Sequence, residues 1–330
     1  MSQSDAFSAA AVLPGHRLRD LPVSFFATVM GLSGLTIATH KVEGALGWGS
    51  LGSQGLLGLS AAVFSLLVFV YLHKLVSFRE AVAEEWAHPI RISFFPTISI
   101  SLILLSIAAL PVNGAVSRVL WTVGSGLHLV MTVLVMTSWI NHSRYEVVHT
   151  NPAWFIPVVG NILVPIAGIL HAPADVSWFF FSVGLVFWIV LLTIVVYRLV
   201  FHNPLPGRLV PTLFILLAPP SVGFISWVTL TGGVDAFARI LYFSAAFFFL
   251  LMLPQLPKFA RQSFALSWWA YSFPLAAFAI ATVVMGERTG GAFYQWTGTG
   301  LVGLLGVVIA GLAARTVIAI GRHEICRPEH

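Results

Sequence analysis

The side chains able to do acid–base, metal or covalent chemistry lie almost wholly outside the apolar stretches of this 330-residue chain. No Asp, Glu, Lys or Arg falls in the middle of a long apolar run, which is where proton relays and ion-coupled carriers keep them. Of the 11 histidines, only His128 lies well inside a run; His40, His73 and His171 lie at run ends. No two are spaced i,i+4 within a run, as a helical metal site requires. One cysteine, Cys326, excludes a disulfide framework, an iron–sulfur site and a Cys-based zinc site within the chain. His323-Glu324-Ile325-Cys326 reads as a solvated tail. Gly298-Thr299-Gly300-Leu301-Val302-Gly303 matches G-x-G-x-x-G, but no strand precedes it and it opens an apolar run, so the dinucleotide reading fails. These residues call for no enzyme, no cofactor and no metal. They permit a passive pore lined by apolar side chains, hydroxyls and opened backbone.

The stretch Ser263-Phe264-Ala265-Leu266-Ser267-Trp268-Trp269-Ala270-Tyr271-Ser272-Phe273-Pro274-Leu275 is the most pointed of the remaining features. It begins an apolar run of about 22 residues, enough to cross a bilayer. Pro274 must cost that run a hydrogen bond. In lipid such a break is tolerated only where protein or a water-filled cavity covers it. The run is therefore expected to face inward, with Phe273 at the break.

The elements that must position it follow from composition. The chain is 58% hydrophobic and 9% charged, with mean hydropathy +0.92, against roughly 25% charged in soluble domains. It is an integral membrane protein, and its +5 net charge reads as a topology signal rather than as nucleic-acid binding. Apolar runs at 22–39, 51–73, 93–110, 118–138, 153–170, 177–199, 209–230, 236–253, 264–285 and 297–320 predict ten spanning helices. Of the 17 Lys and Arg, only Lys41, Arg118, Arg239 and Arg288 follow odd runs. The other thirteen lie on the opposite side, which places both termini in the cytoplasm. Residues 1–20 read as a short cytoplasmic tail without a cleavable signal peptide, 21–320 as the membrane domain, and 321–330 as a second cytoplasmic tail.

Odd runs hold Pro22, Pro96, Pro157, Pro165, Pro211, Pro219, Pro220 and Pro274; even runs hold none. The odd helices are thus expected to form an inner, proline-kinked set and the even ones an outer, straight set. Only Pro22 and Pro211 fit the simpler idea that prolines mark helix starts. The elements Ser93-Phe94-Phe95-Pro96, Trp154-Phe155-Ile156-Pro157 and Tyr271-Ser272-Phe273-Pro274 repeat an aromatic–proline start. Polar candidates for a pathway on the odd runs are Thr28, Ser33, Thr97, Ser99, Asn161 and Ser221. Arg91, after Glu84-Glu85-Trp86-Ala87-His88-Pro89, reads first as an interfacial anchor and second as an attractor of anions to a pore mouth. Gly52, Gly55, Gly58, Gly300, Gly303 and Gly306 are expected to let outer helices pack closely, within the chain or between subunits.

Several segments together resemble the TehA/slow-anion-channel family, the tellurite-resistance/dicarboxylate transporter superfamily, and in particular a bacterial member. They are Leu21-Pro22-Val23-Ser24-Phe25-Phe26-Ala27, Ala83 to Phe94, Asn151-Pro152-Ala153-Trp154-Phe155-Ile156-Pro157 with Asn161, Leu217-Ala218-Pro219, and Trp268 to Pro274. The resemblance implies an all-α membrane protein of five helical hairpins around a pseudo-fivefold central pore, assembled as a homotrimer with one pore per subunit. It implies a pore gate at Phe273 and pore-lining positions at Phe26, Ala27, Phe94, Pro96, Phe155, Pro157, Asn161, Pro219 and Pro274. Long regulatory tails, which plant members carry, are not expected. The function so implied is a passive inner-membrane channel for small inorganic anions such as chloride or nitrate. The alternative is a secondary carrier of C4-dicarboxylates, or an efflux protein for tellurite or toxic compounds.

Overall fold

A computed structural model describes residues 18–322, 324 and 325. Most of the two predicted tails, Cys326 included, lies outside the described residues. Among these, ten helical segments are long and apolar enough to cross a membrane: span 1 (Val23–Leu46), span 2 (Leu51–Ser77), span 3 (Arg91–Ala109), span 4 (Gly114–Asn141), span 5 (Pro152–His171), span 6 (Ala174–Phe201), span 7 (Gly207–Thr231), span 8 (Ala236–Ala260), span 9 (Leu266–Thr289) and span 10 (Ala292–Gly321). Each coincides with a predicted run. Span 8 extends past the expected end at 253, passing Pro254 and Pro257 as a 3-10 turn, Leu253–Gln255, and a short helix, Leu256–Ala260.

The odd spans are inside. Between 67% and 83% of their apolar cores is buried, against 11–33% for the even spans. An even span can leave most of its surface to lipid because its backbone is one unbroken α-helix, as in Leu51–Ser77 and Ala174–Phe201.

The breaks in the odd spans take one form. Each begins as 3-10 helix and changes to α-helix part-way along. The changes run from Val23–Phe25 to Phe26–Leu46, from Arg91–Phe94 to Thr97–Ala109, from Gly207–Leu217 to Ala218–Thr231, and from Leu266–Tyr271 to Ser272–Thr289. Span 5 alternates, with 3-10 at Gly160–Leu163 before the α-helix Pro165–His171. Pro96 caps its α-helix, and Pro165, Pro219 and Pro274 stand in the first turn of theirs. At these joins neighbouring N–H groups bond back into the 3-10 turn, as Ala218 N does to Ile215 O and Ser272 N to Trp269 O, and a proline, lacking that N–H, leaves a carbonyl for another donor. These four prolines do mark helix starts, contrary to the expectation from sequence. The start in question is that of the α-helical half.

Carbonyls beside these joins receive side-chain donors. Ser99 Oγ donates to Pro96 O at 2.8 Å, Thr132 Oγ1 to Pro157 O at 2.7 Å, Ser221 Oγ to Leu217 O at 2.7 Å and Ser272 Oγ to Trp269 O at 2.6 Å. Asn161 Nδ2 donates to Val158 O at 2.7 Å. These hydroxyls serve the backbone, where an unpaired buried group would cost about 1–3 kcal/mol, whereas Ser33, Ser93 and Ser267 Oγ have no partner among the described residues.

Most of the outer glycines pack against nothing within the chain. A Cβ built on Gly55, Gly58, Gly300, Gly303 or Gly306 meets no described atom within 4 Å. Of the six expected to mediate packing, Gly52 alone has a close neighbour, the Glu43 carboxylate at 2.7 Å from such a Cβ.

One ionic node fixes the entry of span 1. Glu85, on the short helix Arg79–Ala87, accepts from Val23 N at 2.6 Å, from Tyr71 Oη at 3.0 Å and from Lys74 Nζ at 2.8 Å. Lys74 also donates to Leu21 O at 2.7 Å. Both side chains are only 3–4% exposed. Removing one partner of such a pair strands the other, a loss of about 3–5 kcal/mol. The Lys41–Glu287 pair at the far end is 38% and 32% exposed, and such pairs contribute ~0–1 kcal/mol. Lys74→Met should therefore lower the thermal unfolding midpoint of the purified protein several times more than Lys41→Met. Equal shifts would deny the node its anchoring role.

Candidate functional site: a cavity walled by the odd spans

A cavity of ≈ 1280 Å³ lies among the N-terminal halves of the odd spans. Its wall residues recur every three positions: Ser24, Ala27 and Met30; Arg91, Phe94, Thr97 and Ile100; Leu209, Thr212, Ile215 and Ala218; Ser267, Ala270 and Phe273. In the 3-10 stretches every third side chain stacks on one face, and the rows run on into the α-helical halves at Ala27, Met30, Thr97, Ile100, Ala218 and Phe273. Span 5 adds Phe155, Ile156, Val159, Gly160 and Leu163. All five odd spans thus contribute, and among the even spans only Lys74 does.

The cavity is open at one end. At its mouth are residues outside the spans, among them Arg19, Glu84, His88, Pro206, Ser263 and Glu324, with Arg208 at the start of span 7. In the other direction the last wall residues are Met30, Ile100, Leu163, Val222, Phe273 and Pro274, and none of the far-side connections reaches the wall. The blind end is apolar.

The mouth mixes charges. Arg19, Lys74, Arg91 and Arg208 stand against Asp20, Glu84, Glu85 and Glu324. Lys74 and Glu85 neutralise each other, and Glu324 lies 3.5 Å from Arg315, which is off the wall. Arg91 is set by its neighbour: His88 Nδ1 accepts from the backbone N of Ile90 at 3.1 Å and of Arg91 at 3.3 Å, starting the 3-10 turn.

The structure divides the residues singled out in the sequence. Ala27, Arg91, Phe94, Phe155, Pro219, Phe273 and Pro274 are on the wall. Phe26, Pro96, Pro157 and Asn161 are not. Phe26, one step round the helix from Ala27, turns its ring to Phe64 and Tyr71, both with centroids at 6.0 Å. Pro96 falls between the stripe positions Phe94 and Thr97. Pro157 instead presents its carbonyl to Thr132. Asn161, fully buried, reaches back to span 4, donating to Thr132 Oγ1 at 2.9 Å. Of the polar pathway candidates, only Thr97 touches the cavity.

Phe273 is partly exposed to the cavity. It sits between two close approaches of spans 1 and 9, Gly31 against Ser272 and Gly34 against Ala276. A Cβ on Gly34 would lie 2.7 Å from Ala276 Cβ and 3.6 Å from Phe273 Cδ2. Behind the opposite wall, His128 is buried against Gly160, where a Cβ would fall 2.6 Å from Nε2. Ser99 Oγ, already donating to Pro96 O, accepts from His128 Nδ1 at 2.9 Å. Nε2 is then the acceptor nitrogen, and it has no protein partner.

Sequence reasoning missed Met30, Ile100, Leu163, Ile215 and Val222. The period-three stripe starting at each odd span's first residues was the available signal.

Ten apolar spans, five of which wall a cavity open at one end, define a multi-pass membrane protein. A family model described as voltage-dependent anion channel, the SLAC1 family, matches residues 20–317, and the chain belongs to that family. It is 29% identical over 318 residues to the S-type anion channel SLAH3 of Arabidopsis thaliana, covering 93% of this chain and 50% of that one. It is 25% identical to an uncharacterized transporter of Methanocaldococcus jannaschii, covering 87% and 90%. It is 27% identical to the tellurite resistance protein TehA homolog of Haemophilus influenzae, covering 78% and 79%. The chain spans about half the length of the plant relatives it matches.

The Gly160–His128 contact yields a stability test. Gly160→Ala drives a methyl group into the imidazole and should destabilise by about 1–3 kcal/mol. Combining it with His128→Ala should cost less than the sum of the two single changes, since the clash with the ring is gone and only that with the flexible end of Ile100 remains. Strict additivity in chemical or thermal unfolding would refute the contact.

Proposed function

We propose that the chain is a passive channel for small inorganic anions, chloride or nitrate in type, with the cavity as one half of the path and Phe273 as its gate. One observation carries this reading: the cavity is walled by all five odd spans and ends at the level of Phe273. In this reading the odd spans surround a pseudo-fivefold central pore. Anions enter past Arg19, Arg91 and Arg208 and meet the N-terminal ends of the α-helical halves, whose partial positive charge favours them. No deep charged site holds them, so exit stays fast. A change of the Phe273 rotamer, or a small movement of span 9, opens the blind end.

The thirteen-to-four division of Lys and Arg supports a cytoplasmic mouth and cytoplasmic termini, and an inner-membrane location follows for a bacterial protein. The membrane domain in this reading is 21–320, set between the tails 1–20 and 321–330. A homotrimer would use the glycine faces of spans 2 and 10, where a Cβ built on Gly55, Gly58, Gly300, Gly303 or Gly306 meets no described atom within 4 Å. Neither an enzyme activity nor a nucleic-acid partner enters this reading.

The one-ended cavity also fits a secondary carrier caught open to one side, of C4-dicarboxylates or of tellurite and other toxic compounds. Saturable, proton-coupled malate flux in proteoliposomes would favour that reading over linear, voltage-driven current.

Phe273→Ala should raise chloride or nitrate current several-fold in a voltage-clamped bilayer or oocyte, with the reversal potential following the anion gradient. Unchanged current at normal surface expression removes Phe273 as the gate. Arg91→Gln should lower the current by less than tenfold without changing its sign of selectivity, and a reversal potential following potassium in either variant would reject the anion channel altogether.

A further inference from the structure

We propose that the connection between spans 4 and 5 is a binding site for an anionic phospholipid, whose phosphodiester pairs with Arg144 and whose ester carbonyls meet Trp139 and Trp154. The site lies on the membrane face of the cavity mouth but off the cavity wall, and it needs neither pore nor gate. A surplus of donors is the first reason. Trp139 Nε1, Trp154 Nε1 and Arg144 Nε are buried atoms with no acceptor among the described residues, whereas buried polar groups in proteins are nearly always paired. Arg144 Nη2 donates to Ser138 Oγ at 2.7 Å and to Tyr145 Oη at 3.1 Å, and those two oxygens lie 2.6 Å apart. One hydroxyl donates to the other, which leaves one further proton without an acceptor in this network. No carboxylate meets the guanidinium. Glu146, the one acid of the connection, is exposed and forms no ion pair among the described residues. What the cluster lacks is a group that only accepts and that carries negative charge, and a phosphodiester with its neighbouring esters is such a group.

The order of chemistry with depth is the second reason. Arg144 stands beyond the end of the helix Gly114–Asn141, Trp139 lies in its last turn, and Trp154 closes the turn Pro152–Trp154 that opens span 5. Deeper on span 4, Val130, Val133 and Leu134 are exposed. Phosphate, ester and acyl chain follow one another in the same order in a phospholipid. Val147 and Val148 are exposed on the turn Val147–His149, so the connection itself rests at the apolar boundary. Aromatic belts place indoles at this depth in many membrane proteins; the arginine without a carboxylate is what selects a charged headgroup. The rings form no cage for a choline or ethanolamine cation. The two indoles stack on each other with centroids 4.7 Å apart, and the Tyr145 ring already faces the Arg144 guanidinium at 5.2 Å. The unpaired N–H groups are covered by their neighbours. Arg144 is the side chain able to swing and admit the phosphate, since neutral hydroxyls alone hold it.

The probe is phosphatidylglycerol, compared with phosphatidylcholine of the same acyl chains. Each is titrated into the detergent-purified full-length protein and counted by native mass spectrometry. One phosphatidylglycerol per chain is expected to bind about tenfold tighter than the first phosphatidylcholine, the worth of one charge-assisted hydrogen bond. Arg144→Gln should remove that preference. Trp139→Phe with Trp154→Phe keeps the stacked rings, removes both N–H groups and should weaken phosphatidylglycerol binding several-fold. Lys258→Gln with Arg261→Gln, cations near the same membrane face at the end of span 8, should leave it unchanged. Each variant is accepted only with an unfolding midpoint near wild type in phosphatidylcholine. Where Arg144→Gln does not fold, Arg144→Lys carries the test, keeping the charge, losing Nε and binding several-fold more weakly. Equal binding of the two lipids by the wild-type chain, or a preference that survives the Arg144 change, would overturn the site. Displacement of the bound lipid by millimolar inorganic phosphate would overturn it as a lipid site.

Discussion

The structure depends on one constraint: a broken helix cannot face lipid. A 3-10 stretch that meets an α-helix leaves carbonyls awkwardly placed, and hydrocarbon offers no donors to satisfy them. The five odd spans carry such a join well inside their length and must be enclosed, whereas span 8 carries one only near its C-terminal end, at Leu253–Gln255. The other five, unbroken or nearly so within the membrane, then form the enclosure. The inner and outer sets are a consequence of where the joins fall. Neighbouring side chains complete the arrangement: Thr132 of span 4 reaches the carbonyl of Pro157, and Ser272 that of Trp269.

The same joins create the cavity. A 3-10 helix is narrower than an α-helix and advances about 2.0 Å per residue against 1.5 Å. The eleven-residue stretch Gly207–Leu217 is long for this conformation, and its Leu209, Thr212 and Ile215 form one row along the wall. Where the spans become α-helical they close up. Gly34 lets span 1 approach Ala276 of span 9 so nearly that a Cβ would stand 2.7 Å away. The wide half and the tight half of the molecule therefore meet at the conformational change, and Phe273 is at that level.

The fold was legible because lipid imposes a simple code. Ten apolar runs, the alternation of basic connections and the restriction of proline to odd runs each come from a single physical rule. The site was only half legible. Phe273 and Ala27 came from a motif resemblance, and they lie on the wall. Phe26 and Asn161 came from the same segments and point elsewhere, because one residue of helix turns a side chain through about 100°. Hydroxyls could not be apportioned from sequence, since Ser and Thr on a spanning helix can bond a carbonyl three or four residues back as readily as face a pathway. Thr28 and Ser221 do the former. The Lys74–Glu85 node was invisible for another reason. Its partners are eleven residues apart across a turn between two helices, and no helical spacing brings them together.

Span 9 differs at its two ends, and the difference bears on how its ring could move. At the far end Glu287 pairs with Lys41 of span 1 at 3.0 Å, and Arg288 Nη1 donates at 3.3 Å to the carbonyl of Gly232, which caps the end of span 7. The α-helical half, Ser272–Thr289, is continuous with those ties and packs with nearly every residue up to Gly286 buried. The 3-10 half, Leu266–Tyr271, has Trp269 as its one buried residue, held through Nε1 to Thr316 Oγ1 at 2.9 Å. Stability within a protein tracks burial and hydrogen bonding, so the mouth-side half is the weaker one. Phe273 is the second residue of the firm half. Its backbone is fixed by the buried helix on its C-terminal side, while its surroundings on the cavity side belong to the half that yields first.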